Sequence, residues 1–262
     1  MIPHRLATAA WTYHKTLRTA LDDRVLHIEL HKPDEGNAVT DRMLDELLAV
    51  LDDRDPAVRA IVLSGAGEDF CLGGDRTEFD EYLAQDPTGG GVRASGTRAR
   101  RVCEALTASP AVTIAKVHGK AIGAGVALAL ACDLRVGAQS ATFRLPELAL
   151  GLPTAWGGLL PRLLNEVGAA RVREIVLTGR SFDAYEAQSM SVLQKVVPEH
   201  HLDDAVDAWV RPVLRRPEGA LRVTKALFNA YTAATHLADA RVLEPELVAA
   251  VVSATRYGQQ DR

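Results

Sequence analysis

Cysteine is scarce in this 262-residue chain: only Cys71, Cys103 and Cys132 occur, and no two of them stand in a Cys-x-x-Cys spacing. Three cannot all pair within one chain, which suits a reducing compartment. Each reads as a small buried hydrophobe, because nothing nearby in the sequence supplies the base a nucleophilic thiol needs. Long apolar runs are also missing. The most apolar stretch, Ala121 to Ala131, falls well short of the roughly 20 residues that span a membrane. No apolar signal segment precedes the polar stretch Thr12 to Arg18, so a cytoplasmic protein is expected. Neither sign of charge dominates. Thirty Lys and Arg face 34 Asp and Glu for a net charge of −4, which offers nucleic acid no basic footprint. There is no Gly-x-Ser-x-Gly elbow, no Walker loop and no metal-ligand spacing among the histidines, so no metal is expected. Gly65-Ala66-Gly67 imitates the start of a dinucleotide fingerprint. Phe70 stands where its third glycine belongs and no helix opens directly behind it, so nicotinamide binding is not expected.

What remains is the composition of an ordinary globule, 47% apolar and 24% charged, at the upper end of what one core holds. Residues 1–22 lack apolar periodicity and read as an N-terminal extension. Val25-Leu26-His27-Ile28-Glu29-Leu30 alternates as a half-buried strand, and Lys32-Pro33-Asp34-Glu35-Gly36-Asn37 supplies turn residues. Thr40 then caps a helix whose stripe is Met43, Leu44, Leu47, Leu48 and Leu51. Ala60 to Leu63 is a buried strand, so the chain begins as βαβ. Residues Gln85 to Gly96, with Gly89-Gly90-Gly91, have the composition of a loop past which substrate could enter. A helix is expected from about Thr97 to Ala108. A strand over Val112–Val117 leads into a second glycine segment and an apolar helix ending near Ala131, and Leu134–Val136 is a further strand. From about Gly168 the pattern turns to helices broken at Pro198, Pro212 and Pro217-Glu218-Gly219. The expected division is thus an extension (1–22), an α/β core (23–195) and a helical region (196–262).

The chemistry is carried by two glycine segments and one carboxylate. In the segment His118-Gly119-Lys120-Ala121-Ile122-Gly123-Ala124-Gly125, a glycine turn opens a helix, leaving N–H groups near Ala124 without intrahelical partners and favouring negative charge there. Gly123 and Gly125 permit close approach of a ligand to backbone, although the same glycines equally suit packing of helix on strand. Phe70-Cys71-Leu72-Gly73-Gly74-Asp75 is built alike, so Gly74 can supply a second N–H, while Asp75 reads as a helix cap. Two converging donors make an oxyanion hole, each worth roughly 2.7 to 4 kcal/mol in the transition state. Glu147 follows Pro146 and precedes Leu148-Ala149-Leu150; partial burial would raise its pKa toward that of a working base.

At these residues the sequence resembles the crotonase (enoyl-CoA hydratase/isomerase) family, from about Val25 to Ala250. The match runs in order through Asp55 to Gly65, Phe70 to Asp75, Ala121 to Gly125, Ala131-Cys132-Asp133, Leu145 to Gly151 and Trp156-Gly157-Gly158. The resemblance implies a crotonase-like spiral of ββα units with a helical C-terminal trimerisation region, assembled as a homotrimer or dimer of trimers. It implies an acyl thioester of coenzyme A, or of an acyl carrier protein, as substrate, with coenzyme A as part of that substrate and no permanently bound cofactor. Carried over by position, the backbone N–H groups of Gly74 and Ala124 form the oxyanion hole, Glu147 is the catalytic acid/base, and Lys32, Leu72, Gly73 and Arg76 lie where coenzyme A is bound. For Lys32 and Arg76 a solvated surface role is the alternative. Trp156 is placed to shape the acyl pocket or to pack in the core.

Ala127 is the departure that matters, because hydratases of the family carry a second glutamate there. Adding water needs two carboxylates, whereas shifting a double bond needs one. The expectation is therefore Δ3,Δ2-enoyl-CoA isomerisation, with a hydratase, lyase or decarboxylase of the same fold, or a non-catalytic binding member, as alternatives. His118 replaces the customary asparagine. The last residues, Ser253 to Arg262, lack the basic, aromatic tail with which many members cover coenzyme A. Arg93, Arg98, Arg100 and Arg101 could receive a phosphate or an acidic carrier, but read more simply as a charged helix face.

Overall fold

The structure is a computed structural model that describes residues 10–234 and 243–257, the side chains of 233–234 and 255–257 excepted. Strand β1 (Thr12–Tyr13) precedes β2 (Leu17–Asp22) and β3 (Val25–Leu30). These two pair antiparallel from Leu17 with Leu30 to Asp22 with Val25. The expected extension therefore ends inside a hairpin, and Thr12–Tyr13 and Leu17–Asp22 belong to the sheet. Their periodicity escapes sequence reading because the buried side chains Leu17 and Ala20 stand three residues apart, where a half-buried strand would alternate in twos.

Helix α1 (Asp41–Asp52) starts at Thr40, whose side chain accepts from the Met43 N–H at 3.2 Å. The expected leucine stripe is its buried face. Strand β4 (Ala60–Gly65) is buried along its whole length, as a central parallel strand covered on both faces requires. Helix α2 (Arg76–Gln85) is capped by Asp75, which accepts from the Thr77 and Glu78 N–H groups. Helix α3 (Gly90–Ala108) begins seven residues earlier than expected, within the glycine run read as a loop. Packing overrides propensity there: a Cβ on Gly91 would lie 2.7 Å from the Tyr82 ring, and one on Gly96 would lie 3.1 Å from Pro245.

Strands β5 (Val112–Val117) and β6 (Lys120–Ile122) lead to helix α4 (Ala124–Leu130), then β7 (Leu134–Ala138) and β8 (Thr142–Arg144). Helices α5 (Leu159–Glu166) and α6 (Ala169–Thr178) follow. Beyond Gly168 the chain is not purely helical: β9 (Ser181–Asp183), helix α7 (Ala184–Ser189) and β10 (Lys195–Val197) intervene. The expected division at 195/196 falls within β10. Helix α8 (Leu202–Arg215) runs through Pro212, which does not break it. Its buried residues Leu202, Ala205, Val206 and Val210 join the main core. Helices α9 (Glu218–Ala234) and α10 (Glu244–Tyr257) complete the described chain; residues 258–262 of the C-terminal tail lie outside the described residues.

The main sheet has the order β1-β2-β3-β4-β5-β7-β10, parallel from β3 onward. A second sheet, β6-β8-β9, leaves it after β5. Two backbone bridges outside these strands, Cys71 with Ala121 and Val39 with Gly74, stitch the loop after β4 to the second sheet on one side and to the approach to α1 on the other.

Asn37, read from sequence only as a turn residue, fixes that loop. It is fully buried at φ 50°. Its side-chain oxygen accepts from the Lys32 N–H at 2.9 Å, and its amide donates to the carbonyls of Ala66, Asp69 and Phe70 at 2.9, 2.9 and 3.3 Å. Asn37→Ala strands these buried groups and puts alanine at positive φ. The expected loss is on the order of 2 kcal/mol of unfolding free energy in urea titration. A loss below about 0.5 kcal/mol, the range of an ordinary surface change, would mean other contacts hold the loops.

Candidate active site

The loops after β3, β4 and β5 leave the carboxyl ends of neighbouring parallel strands, where open α/β sheets bind ligands. In the bridge between the first two, Val39 donates to the Gly73 carbonyl at 2.8 Å and accepts from the Asp75 N–H at 2.9 Å. This leaves the intervening Gly74 with its own N–H turned away from Val39. On the other flank, Cys71 donates to the Lys120 carbonyl at 3.1 Å and accepts from the Ile122 N–H at 2.9 Å. Gly73, at φ 106°, lies so close to this strand that a Cβ would approach the Ile122 carbonyl oxygen to 3.1 Å. The two glycine segments are thus in backbone contact. Gly74 follows that contact directly, and Ala124 lies two residues beyond it as the first residue of α4, with an N–H that has no intrahelical acceptor.

Glu147 opens a 3-10 turn, Glu147–Leu150, behind Pro146. Its carboxyl lies on Gly123, where a Cβ would come within 3.0 Å of Oε1. Gly123 also sits at φ 50°, ψ −110°, a conformation that L side chains rarely adopt. Its N–H donates to the Arg144 carbonyl at 3.0 Å, which seats the start of α4 on the strand leading to Glu147. The second carboxyl oxygen, Oε2, is buried without a hydrogen-bond partner. Burial raises the pKa of Glu147 above the ordinary carboxylate value, its own backbone N–H pulling weakly the other way. The burial does not come from the apolar stretch behind it, since Leu148, Ala149 and Leu150 are all exposed; Gly123 is among the residues that pack on the carboxyl.

The loop that follows is fastened at several points. Leu152 donates to the Glu147 carbonyl at 2.9 Å. Gly158 donates to Glu244 Oε2 at 2.9 Å, and Glu244, the first residue of α10, is buried. A small apolar cluster joins Leu152 to Val248, Ala249 and Val252 of α10 and to Phe79 of α2. Phe79 in turn meets Gly74, its Cε2 lying 3.3 Å from where a Cβ would stand. The last helix therefore touches supports of both the Gly74 and the Glu147 sides. Sequence reading missed Glu244, whose partner Gly158 is 86 residues away, and Phe79, which lies close to Gly74 in sequence but belongs to no motif.

The other expected residues divide. Leu72 and Arg76 are exposed beside Gly73 and Gly74. Lys32 is engaged by Glu35, with Nζ 2.5 Å from Oε1. Trp156 is half-buried and packs on the main core, and Ala127 is buried on α4. His118 is buried, its Nε2 2.9 Å from the Gly67 carbonyl oxygen. All three cysteines are buried. Desolvation pushes the Cys71 and Cys132 thiols up to about 12 and that of Cys103 higher still, which removes them as nucleophiles. Arg98 pairs with Asp41 and Asp45, Arg100 with Glu104 and Arg93 with Glu246, as a charged helix face does. Among the described residues no group of His, Cys, Asp and Glu is arranged to hold a metal ion, and no helix is long and apolar enough to cross a membrane.

The family model for Enoyl-CoA hydratase/isomerase matches residues 21–259. A Mycobacterium bovis protein named as a probable enoyl-CoA hydratase is 31% identical over 219 residues, 82% of each chain. An enoyl-CoA hydratase structure from Mycobacterium avium subsp. paratuberculosis superposes with a TM-score of 0.80 at 25% identity, covering 92% of this chain and 95% of that one. A Thermobifida fusca protein assigned as an enoyl-CoA hydratase, in complex with acetoacetyl-CoA, gives a TM-score of 0.77 at 31% identity, over 93% of this chain and 95% of that one.

The buried carboxyl sets a stability test. Because burial raises the folded-state pKa of Glu147, its stabilising contribution is present below the unfolded value of about 4.3 and is lost as pH rises through the folded value. Glu147→Gln carries no such penalty. Its melting temperature should exceed that of the parent at pH 8, with the gap closing toward pH 4. A gap of opposite sign, or one independent of pH, would show that the carboxyl is not held against its charge.

Proposed function

The chain belongs to the enoyl-CoA hydratase/isomerase family, and from that premise we propose that it shifts the double bond of a 3-enoyl-CoA thioester to the 2 position. One observation carries the choice: a single buried carboxyl with an unpartnered oxygen lies at the start of α4, while the position of the second carboxylate in hydratases is the buried methyl of Ala127. The thioester oxygen accepts hydrogen bonds from the Gly74 and Ala124 N–H groups. Glu147 removes a proton from carbon 2, and the electron pair passes onto that oxygen as a dienolate. The same carboxyl then returns its proton at carbon 4. The carbonyl re-forms and the double bond comes to rest between carbons 2 and 3, with no net change in atoms. Burial favours this cycle twice, by making Glu147 basic enough to take the proton and by strengthening the hydrogen bonds to the developing oxyanion.

Coenzyme A enters as part of the substrate, in keeping with the acetoacetyl-CoA held by the Thermobifida relative. Exposed Leu72 and the buried backbone of Gly73 line its approach, with Arg76, exposed on the first turn of α2, placed to meet a phosphate. Lys32 can exchange Glu35 for a phosphate at little cost, since both side chains are substantially exposed. Delivery by an acyl carrier protein uses the same thioester. A trimer, or a dimer of trimers, suits the exposed apolar positions Val223, Leu227 and Tyr231, spaced four apart on α9, and Leu247 and Val251 on α10. A purely binding role gives no use for an unpartnered buried carboxyl.

Hydration is the second reading, favoured by the names of the relatives. Incubation of 3-enoyl-CoA and 2-enoyl-CoA in heavy water separates the two by mass: isomerisation changes mass only through deuterium, and hydration adds a water. The expected result is interconversion of the two enoyl thioesters, with Glu147→Gln lowering kcat by roughly 100-fold or more. Water addition without interconversion would overturn the isomerase reading. Full activity of Glu147→Gln would overturn the mechanism.

A further inference from the structure

A cavity of about 680 Å³ lies between α3, α4, α5 and α9, within the size range of sites that enclose small molecules. Its near wall is Ala127, one helical turn, about 4.5 Å of rise, from Ala124. Gly157 and Gly158 also line it, at the end of the loop that Glu147 begins. Gly157 packs on Cys103, whose Sγ would lie 2.6 Å from a Cβ at 157, and Cys103, Leu130 and Ala131 continue the lining inward. Space thus opens directly behind the methyl of Ala127, where a glutamate would place its charge at the entrance.

The cations around this cavity are already committed. Arg100 pairs with Glu104 at 2.6 Å, Arg162 with Glu166 at 2.7 Å and Lys225 with Asp133 at 2.7 Å. Lys225 also donates to the Ala111 carbonyl at 2.8 Å, and Arg162 to Thr107 Oγ1 and the Cys132 carbonyl, each at 3.0 Å. A ligand bearing its own charge would have to break one of these partly buried pairs and strand its partner. We infer that the cavity receives the acyl group of the substrate, and that the group is uncharged, chiefly hydrocarbon and well longer than four carbons. The inference rests on the proposed reaction and adds the class of acyl chain.

The test is the ratio of kcat/KM for 3-decenoyl-CoA to that for 3-butenoyl-CoA, in the full-length protein and in two variants that fill the cavity from different walls, Ala131→Leu and Ala108→Phe. The parent should favour the decenoyl substrate and discriminate roughly tenfold or more against its ω-carboxylate analogue. At least one variant should lower the ratio roughly tenfold. A parent that prefers butenoyl-CoA or accepts the ω-carboxylate equally, or a ratio unchanged in both folded variants, would overturn the inference. If the parent turns over no thioester, the proposed reaction fails and the cavity is read by binding. Thermal stabilisation by decanoyl-CoA that is lost in a filled variant still supports it, and equal stabilisation in parent and both variants overturns it.

Discussion

Cys71 exchanges two backbone hydrogen bonds with the strand Lys120–Ile122, and the chemistry of this fold depends on that short contact. It holds together two loops that leave different strands of the main sheet. The contact needs main chain at van der Waals distance, so Gly73 stands against the Ile122 carbonyl, where any Cβ would press on it. Asn37 then closes the other side of the same loop by collecting three of its carbonyls. Rigid backbone is what a pair of N–H donors requires, because donors that must reorganise as charge develops lose much of their value.

Against this frame the protein keeps one group in an unfavourable state. Glu147 is half-buried, with its Oε2 oxygen buried and unpartnered, which lowers stability whenever the group is ionised. The surroundings hold it there through Gly123 beneath the carboxyl, the Leu152 N–H on its carbonyl and the Glu244 latch on Gly158. Since Glu244 opens α10, and α10 shares an apolar cluster with Phe79 beside Gly74, docking of the last helix braces both sides of the candidate site at once. Helix α10 is thereby tied to the candidate site by packing although it stands far from Gly74, Ala124 and Glu147 in sequence.

The residues of the candidate site were easier to pick out in the sequence than the element boundaries. Gly74, Ala124 and Glu147 each sit in a local motif, and backbone donors beside a buried acid can be read from glycines and one isolated carboxylate. The stripe of α1 and the cap at Thr40 follow from period and chemistry in the same way. What escaped reading was set by tertiary contact. Helix α3 starts within the glycine run because Tyr82 stands against Gly91 and Pro245 against Gly96, where larger residues would not fit. Strand β2 hides because its buried residues are three apart. Pro212 sits inside α8 because the helix face around Val206 and Val210 is fixed by the core. Glu244 acts on a partner 86 residues away, and the three carbonyls that Asn37 collects stand 29 or more residues from it, too far for a local pattern to suggest.

Ala127 joins the two inferences about function. A carboxylate at that position would do two things: supply the second acid/base group that water addition needs, and narrow the mouth of the cavity between α3, α4, α5 and α9. Alanine removes both at once. The loss of the carboxylate leaves Glu147 alone, which is sufficient for moving a proton from one carbon to another but leaves water without a second group to orient it. The gain of space lets an acyl chain pass α4 into walls whose charges are already paired with one another. In the proposed reaction, chemistry and chain selection are thus coupled through one small side chain, and restoring a glutamate there would be expected to change both together.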